Sequence, residues 1–262
     1  MSQQAQQIIS NKEVFTALKE LMWQAGDVIL EVYNSEDFGT AAKGDDSPVT
    51  KADLAAHHVL VEGLKRLTPD IPVVSEEDPE SVDVGRTAKL YWLIDPLDGT
   101  KEFIKRNGEF TCNLALIENK LPTLGFVGIP AASELFVGGK ESPSTRETRN
   151  SAPQQIHHTA KPGITRVVAS KSHLNDETRA FIDGIGGKVE LVQAGSSLKF
   201  LKIATGEADI YPRLAPTCEW DTAAAHAVLD GAGGEVRQAN GERFRYGKKE
   251  ILNPHFIAKA RN

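Results

Sequence analysis

Cysteine is scarce in this 262-residue chain: only Cys112 and Cys218 are present. A disulfide-stapled scaffold is therefore excluded, and a reducing compartment is the natural setting. Long apolar runs are missing too; none approaches the roughly 20 residues a membrane span needs. The first residues, MSQQAQQIISNKEVF, lack the basic and apolar regions of a secretory signal, so a cytoplasmic protein is expected. Nor is there an excess of basic charge. Lys and Arg number 30 against 36 Asp and Glu, a formal net charge of -6. That balance argues against a nucleic-acid coat or a polybasic membrane patch. An anionic substrate would need local help, from bound cations or a few well-placed basic groups.

What is there reads as an ordinary globular chain, 40% hydrophobic and 25% charged, long enough to bury a core unaided. Val14, Leu18, Leu21, Met22, Ala25, Val28, Ile29 and Val32 fall at helical spacing, and a second helix is expected from Thr50 to Leu67. Short β-branched runs follow at Ile71 to Val74 and Tyr91 to Ile94, each ending in acid. Thr111 to Ile117, Leu121 to Ile129 and Leu135 to Val137 have the spacing of an antiparallel meander. The polar stretch Lys140 to Pro162 reads as an exposed loop and a boundary. Beyond it, strands at Arg166 to Ala169, Val189 to Val192 and Ala208 to Tyr211 alternate with helices at Asp176 to Ile185 and Ser197 to Thr205. A last helix is expected from Trp220 to Leu229, before Gly231 and Gly233-Gly234. Two subdomains are predicted: residues 1–150 as α+β with most of the acids, and residues 151–262 as α/β.

Three acidic clusters sit at the ends of expected strands or the start of a helix: Glu76-Glu77-Asp78, Asp95 with Asp98, and Asp221. Clustered carboxylates repel one another unless a cation neutralises them, and oxygen ligands without nearby His or Cys suit Mg²⁺, Mn²⁺ or Ca²⁺. The run DPLDGT has particular geometry. Pro96 fixes φ and turns the chain, letting Asp95 and Asp98 point to one side with the Leu97 carbonyl between them. Gly99 permits a close backbone approach, and a helix starting near Thr100 would offer free N–H groups to a phosphate. Metal-assisted phosphoryl transfer or hydrolysis is the chemistry these parts suit.

WLIDPLDGT, the upstream TKAD and SEED, and the downstream EWDTAAAHAVL together resemble the lithium-sensitive, magnesium-dependent inositol monophosphatase superfamily. DSPVTKAD, VVSEEDP, DGTKEFI, GSSLKF and ADIYPRL bring the resemblance closest to its bisphosphate-nucleotidase branch. The motifs run in the superfamily's order from Asp46 to Leu229, nearly the whole chain. The resemblance implies a layered αβαβα sugar-phosphatase-type fold, α+β and then α/β. It also implies two or three Mg²⁺ ions: Glu76, Asp95 and the Leu97 carbonyl as ligands of one, and Asp95, Asp98 and Asp221 of a second. Thr100, oriented by Asp53, resembles the pair that positions and activates the attacking water. The backbone of Gly99 and Thr100 would hold the scissile phosphate. His173, Ser196, Lys199 and Arg213 sit where related nucleotidases contact the nucleotide and its other phosphate.

The activity so implied is hydrolysis of the 3'-phosphate of adenosine 3',5'-bisphosphate to AMP, in sulfur metabolism and nucleotide recycling. The partner is a small nucleotide, with no nucleic-acid polymer and no stable protein partner. Peripheral association with the cytoplasmic face of the inner membrane is known in relatives and leaves no mark in this sequence. DPLDGT sees only metal and phosphate, so an inositol monophosphate or another sugar phosphate remains an alternative substrate. A covalent aspartyl-phosphate mechanism of the haloacid-dehalogenase type is disfavoured, because Pro96 and Leu97 separate the two aspartates where that signature has one residue. A catalytically dead metal or nucleotide sensor would have lost a ligand or Thr100, and none is missing.

Overall fold

The computed structural model describes residues 1–42, 48–159, 161–169 and 174–261. Asn11 caps the helix Lys12–Tyr33, its side chain accepting from the Glu13 and Val14 amides. This helix and Lys51–Leu67 bury one apolar stripe each (Leu18, Leu21, Met22, Ala25 and Ile29; Ala52, Ala56, Leu60 and Leu64) on one face of a seven-stranded sheet. The strands lie in the order Val73–Ser75, Leu90–Asp98, Thr111–Glu118, Leu121–Ile129, Glu134–Gly139, Ser142–Thr148 and Gln154–Gln155. The first pair is parallel and the rest are antiparallel.

Both faces of the central strands are covered, which explains why LYWLI is apolar without alternation. Trp92 and Ile94 face the helix pair, while Tyr91 and Leu93 face the rest of the molecule. On that second side lie the helices Leu198–Ala204 and Trp220–Gly231, and beyond them a five-stranded sheet. Its order is Lys188–Gln193, Ile164–Ala169, Ile210–Arg213, Phe256–Ala260 and Gly234–Gln238, parallel among the first three and antiparallel among the last. The helix Asp176–Asp183 packs beside Ile210–Arg213. The stack is the layered αβαβα arrangement expected from the sequence. Among the described residues no helix is long and apolar enough to cross a membrane.

One expectation fails. Lys140 to Pro162 is not a loop: Ser142–Thr148 and Gln154–Gln155 extend the first sheet. The inward positions of the longer strand are Ser144 and Glu147, both buried, where an apolar residue would have betrayed the pattern. Ser144 donates to the Val228 carbonyl at 2.6 Å, and Glu147 pairs with Lys19 at 3.0 Å. Polar contacts hold a strand here, paired on both sides, that hydrophobic periodicity cannot reveal.

Helix Trp220–Gly231 lies flat on the first sheet because Gly125 has no side chain. A Cβ there would come within 2.1 Å of the Ala224 carbonyl oxygen and 2.9 Å of the Ala227 Cβ. Gly125→Ala is therefore expected to cost about 1–3 kcal/mol in urea unfolding, the range for overpacking a core. A loss below about 0.5 kcal/mol would mean the helix can lift without penalty.

Candidate active site

The strand Leu90–Asp98 runs straight through Pro96, further than the apolar run alone suggests, and its pairing shifts register between Asp95 and Asp98. Proline has no N–H to give the ladder, so the irregularity falls there. Asp95 lies opposite Asn113 and Asp98 opposite Thr111. Glu76 follows the neighbouring strand, and its backbone N–H donates to the Ile94 carbonyl at 3.2 Å, beside Asp95. His57 Nδ1 sits 2.8 Å from Ser75 Oγ and braces the same turn. Asp221 comes from the first turn of Trp220–Gly231, its Oδ2 accepting from the Cys218 amide at 2.9 Å. Ligand atoms of Glu76, Asp95 and Asp221 all fall within 4.8 Å of one another.

Asp98 adjoins this group from a different side. Its Oδ2 accepts from Ser196 Oγ at 2.5 Å and from the Ser197 amide at 2.6 Å. Ser196 adopts φ +48°, a left-handed turn that aims its own hydroxyl and the next amide at one oxygen. Asp98 and Asp221 open on a cavity of about 140 Å³ shared with Gly99, Ser196, Lys199 and Arg213. Larger cavities of about 410 and 530 Å³ lie elsewhere, and none of Glu76, Asp95, Asp98 or Asp221 lines them.

So many carboxylates in one place shape their own chemistry. Burial, then the charges of Glu76, Asp98 and Asp221, hold the Asp95 carboxyl well above the usual range. Burial and the charges of Asp98 and Glu76 do the same to Asp221. Oxygen donors with this much mutual repulsion, and no thiolate or imidazole among them, fit a hard divalent cation. Across the cavity, burial brings the Lys199 ammonium down to about 8, against the pull of Asp98. Lys199 donates to the Ser196 carbonyl at 2.6 Å.

Asp53 serves two ends at once. Its Oδ2 accepts from the Thr50 amide at 2.7 Å and the Thr50 hydroxyl at 2.6 Å, closing a capping box on Lys51–Leu67. Its Oδ1 lies 3.3 Å from Thr100 Oγ1, which is equally 3.3 Å from the Leu97 carbonyl. One carboxylate thus caps the helix and reaches Thr100. Gly99 is required between these groups: it holds φ +92°, and a Cβ would meet the Glu109 carbonyl at 3.1 Å. The helix that follows, Thr100–Ile104, is a single turn.

The second-half residues are placed less uniformly. Ser196 has its hydroxyl on Asp98. Arg213 lines the cavity, yet its guanidinium donates to the Ala215 carbonyl at 3.1 Å and the Pro216 carbonyl at 2.6 Å. His173 lies outside the described residues. His158, in the pair His157-His158, sits 3.0 Å from Asp209 Oδ1, away from the acids. Three residues that sequence reasoning passed over belong to the site: Thr111, Asn113 and Ser197, all buried and hydrogen-bonded in line behind Asp98. Their signal was available, since Thr111 and Asn113 are polar at period two in an otherwise apolar strand.

A pH signature follows from the raised carboxyls. Asp95 and Asp221 keep protons in the fold to higher pH than in the unfolded chain, so cation-free protein loses stability as pH climbs from the ordinary value of 3.8 through the raised ones. A bound divalent cation displaces those protons and removes the repulsion. Between about pH 5 and pH 8, the Tm gap between cation-saturated and chelator-treated protein should therefore widen. A gap that stays flat or narrows contradicts this account of the site.

Comparison with known proteins agrees with the geometry. The inositol monophosphatase family model matches residues 10–261. The 3'(2'),5'-bisphosphate nucleotidase CysQ of Salmonella typhimurium is 46% identical over 239 residues, 90% of this chain and 96% of that protein. CysQ of Buchnera aphidicola is 36% identical over 253 residues, 95% of this chain and 94% of that one. The crystal structure of CysQ from Bacteroides thetaiotaomicron superposes with a TM-score of 0.85 at 38% identity, covering 97% of this chain and 99% of that one. The family is metal-dependent, in keeping with the carboxylate cluster. On the match over residues 10–261 and these identities, the chain belongs to the inositol monophosphatase family.

Proposed function

We propose that this protein is a Mg²⁺-dependent 3'(2'),5'-bisphosphate nucleotidase that hydrolyses the 3'-phosphate of adenosine 3',5'-bisphosphate to AMP and phosphate. The observation behind the reading is convergence: Glu76, Asp95 and Asp221 come from distant segments to within 4.8 Å, and the cavity beside them has Lys199 and Arg213 on its far wall. The identity of the nucleotidase relatives supports the substrate. Glu76, Asp95 and the Leu97 carbonyl would hold one Mg²⁺, and Asp95, Asp98 and Asp221 a second, two or three ions in all in this reading. Bound there, Mg²⁺ would supply Lewis-acid neutralisation of the phosphate and of the departing 3'-oxygen.

The chain's own residues supply orientation and proton handling. Thr100 Oγ1 donates towards Asp53 Oδ1, leaving its lone pairs to accept from a water aimed at phosphorus. The Thr50 amide and hydroxyl hold the other oxygen of Asp53, which fixes Oδ1 towards Thr100. The Gly99 and Thr100 amides are the backbone donors for the scissile phosphate. Lys199 and Arg213 give the second phosphate cationic partners, which an uncharged inositol ring would not use. His173 is the remaining nucleotide contact in this reading. Both cysteines are free thiols, in keeping with a cytoplasmic enzyme; any contact with the inner membrane would be peripheral.

A substrate panel with Mg²⁺, run with and without lithium, tests the assignment. Phosphate release from adenosine 3',5'-bisphosphate should exceed that from inositol 1-phosphate and fall with lithium. Preference for the inositol ester overturns the substrate, and no release from any phosphoester overturns the enzyme. Thr100→Ala should lower kcat by about 100-fold or more while KM stays within about threefold, since only water orientation is lost. Equal damage to both would remove Thr100 from that role. Asp98→Asn should abolish turnover with circular dichroism unchanged.

A further inference from the structure

Behind Asp98 four side chains form a continuous hydrogen-bonded line. Ser196 Oγ contacts Asp98 Oδ2 at 2.5 Å, Thr111 Oγ1 contacts Ser196 Oγ at 2.7 Å and Ser197 Oγ at 2.8 Å, and Ser197 Oγ contacts Asn113 Oδ1 at 3.0 Å. Thr111 and Asn113 belong to the strand Thr111–Glu118 of the first sheet, whereas Ser196 and Ser197 form the turn before Leu198–Ala204. The line therefore ties the two sheets together at one metal-ligand candidate.

Counting hydrogens gives the line a direction. It has four links, and each needs one hydrogen. A carboxylate must be ionised to hold a cation, so Asp98 contributes none. The hydroxyls of Ser196, Thr111 and Ser197 contribute three: Ser196 to Asp98, Thr111 to Ser196 and Ser197 to Thr111. The fourth has to come from Asn113, whose amide carries donors on one side and an acceptor on the other. As placed, the oxygen faces Ser197 and the Nδ2 group is buried with no partner. Turning the amide over about its last bond keeps its outline, supplies the fourth link with a hydrogen and leaves the amide oxygen, in place of the Nδ2 donor, at the position without a partner.

We infer that Asn113, Ser197, Thr111 and Ser196 form a one-way hydrogen-bond relay that starts at the Asn113 amide, ends on Asp98 Oδ2 and positions that carboxylate for a divalent cation. The relay and the Ser197 amide occupy one oxygen and present the other. Thr111, Asn113 and Ser197 act as positioning residues, touching neither substrate nor cation. The inference rests on the metal-site reading of Asp98 and adds what fixes its geometry. It also gives Ser196 a role in holding Asp98 beside any contact it makes with substrate.

Divalent-cation binding measured without substrate separates this role from simple packing. Thr111→Val is isosteric and breaks the relay at its centre; Ser197→Ala breaks it while keeping the amide on Asp98; Thr111→Ser restores it. Calorimetric titration with Mg²⁺, and Mn²⁺ titration followed by electron paramagnetic resonance, should show affinity at one site falling about 10- to 100-fold in Thr111→Val and Ser197→Ala. Thr111→Ser should return to within about threefold of the unaltered protein. Asn113→Leu, which keeps the branching of the side chain and loses the donor, should resemble Thr111→Val. If Thr111→Val does not fold, the Ser197→Ala and Asn113→Leu titrations decide the matter. Variants that fold and bind cations within about twofold of the unaltered protein overturn the relay while leaving the metal site standing. An unaltered protein that binds no divalent cation overturns both.

Discussion

Charge repulsion among buried carboxylates is the constraint around which the rest of this molecule is arranged. Glu76, Asp95 and Asp221 bring ligand atoms within 4.8 Å of one another, and Asp98 adds its field to Asp95 and Asp221. Left to themselves such groups would separate or stay protonated. They stay together because each is held by something stronger than a side-chain preference. Asp95 and Asp98 sit in a strand paired on both edges, Glu76 follows a strand laddered to it, and Asp221 is locked into a helix that Gly125 lets lie flat on the sheet.

The two sheets meet at these acids, and the seam is polar where the surrounding core is apolar. Helix Trp220–Gly231 brings Asp221 across from the second half, and the Ser196-Ser197 turn brings two donors onto Asp98. A second bond to the same helix comes from Ser144, whose hydroxyl reaches the Val228 carbonyl. The cavity with Lys199 and Arg213 opens at this seam, so the groups proposed to read the substrate and those proposed to hold metal line one surface. A substitution in either sheet that shifts the seam is felt by both.

Much of the fold was legible because its elements obey simple periods. The helix Lys12–Tyr33, the meander from Thr111 to Gly139 and the alternation after Ile164 all announce themselves by apolar spacing. The strand Ser142–Thr148 did not, since Ser144 and Glu147 face inward. The glutamine-rich helix Gln3–Ser10 buries only Ala5 and Ile8, and strands Gly234–Gln238 and Phe256–Ala260 are only five residues each. In each case burial is decided by a neighbour distant in sequence. Asp53 illustrates the same limit at the site: the capping box could be read locally, whereas its contact with Thr100, 47 residues away, could not.

The sequence by itself determined the inventory: hard oxygen donors in DPLDGT, SEED and EWD, a glycine where the backbone must take positive φ, and no cysteine framework or basic excess to suggest another chemistry. These follow from residue type and from spacing within a few residues, which covalent geometry largely dictates. Only the tertiary structure decided which donors share a face, that Ser196 and Ser197 close on Asp98, and that Thr111 and Asn113 stand behind them. Such contacts join residues 84 to 99 positions apart. Their distances depend on how two sheets pack through an intervening helix layer, and no local rule contains that information.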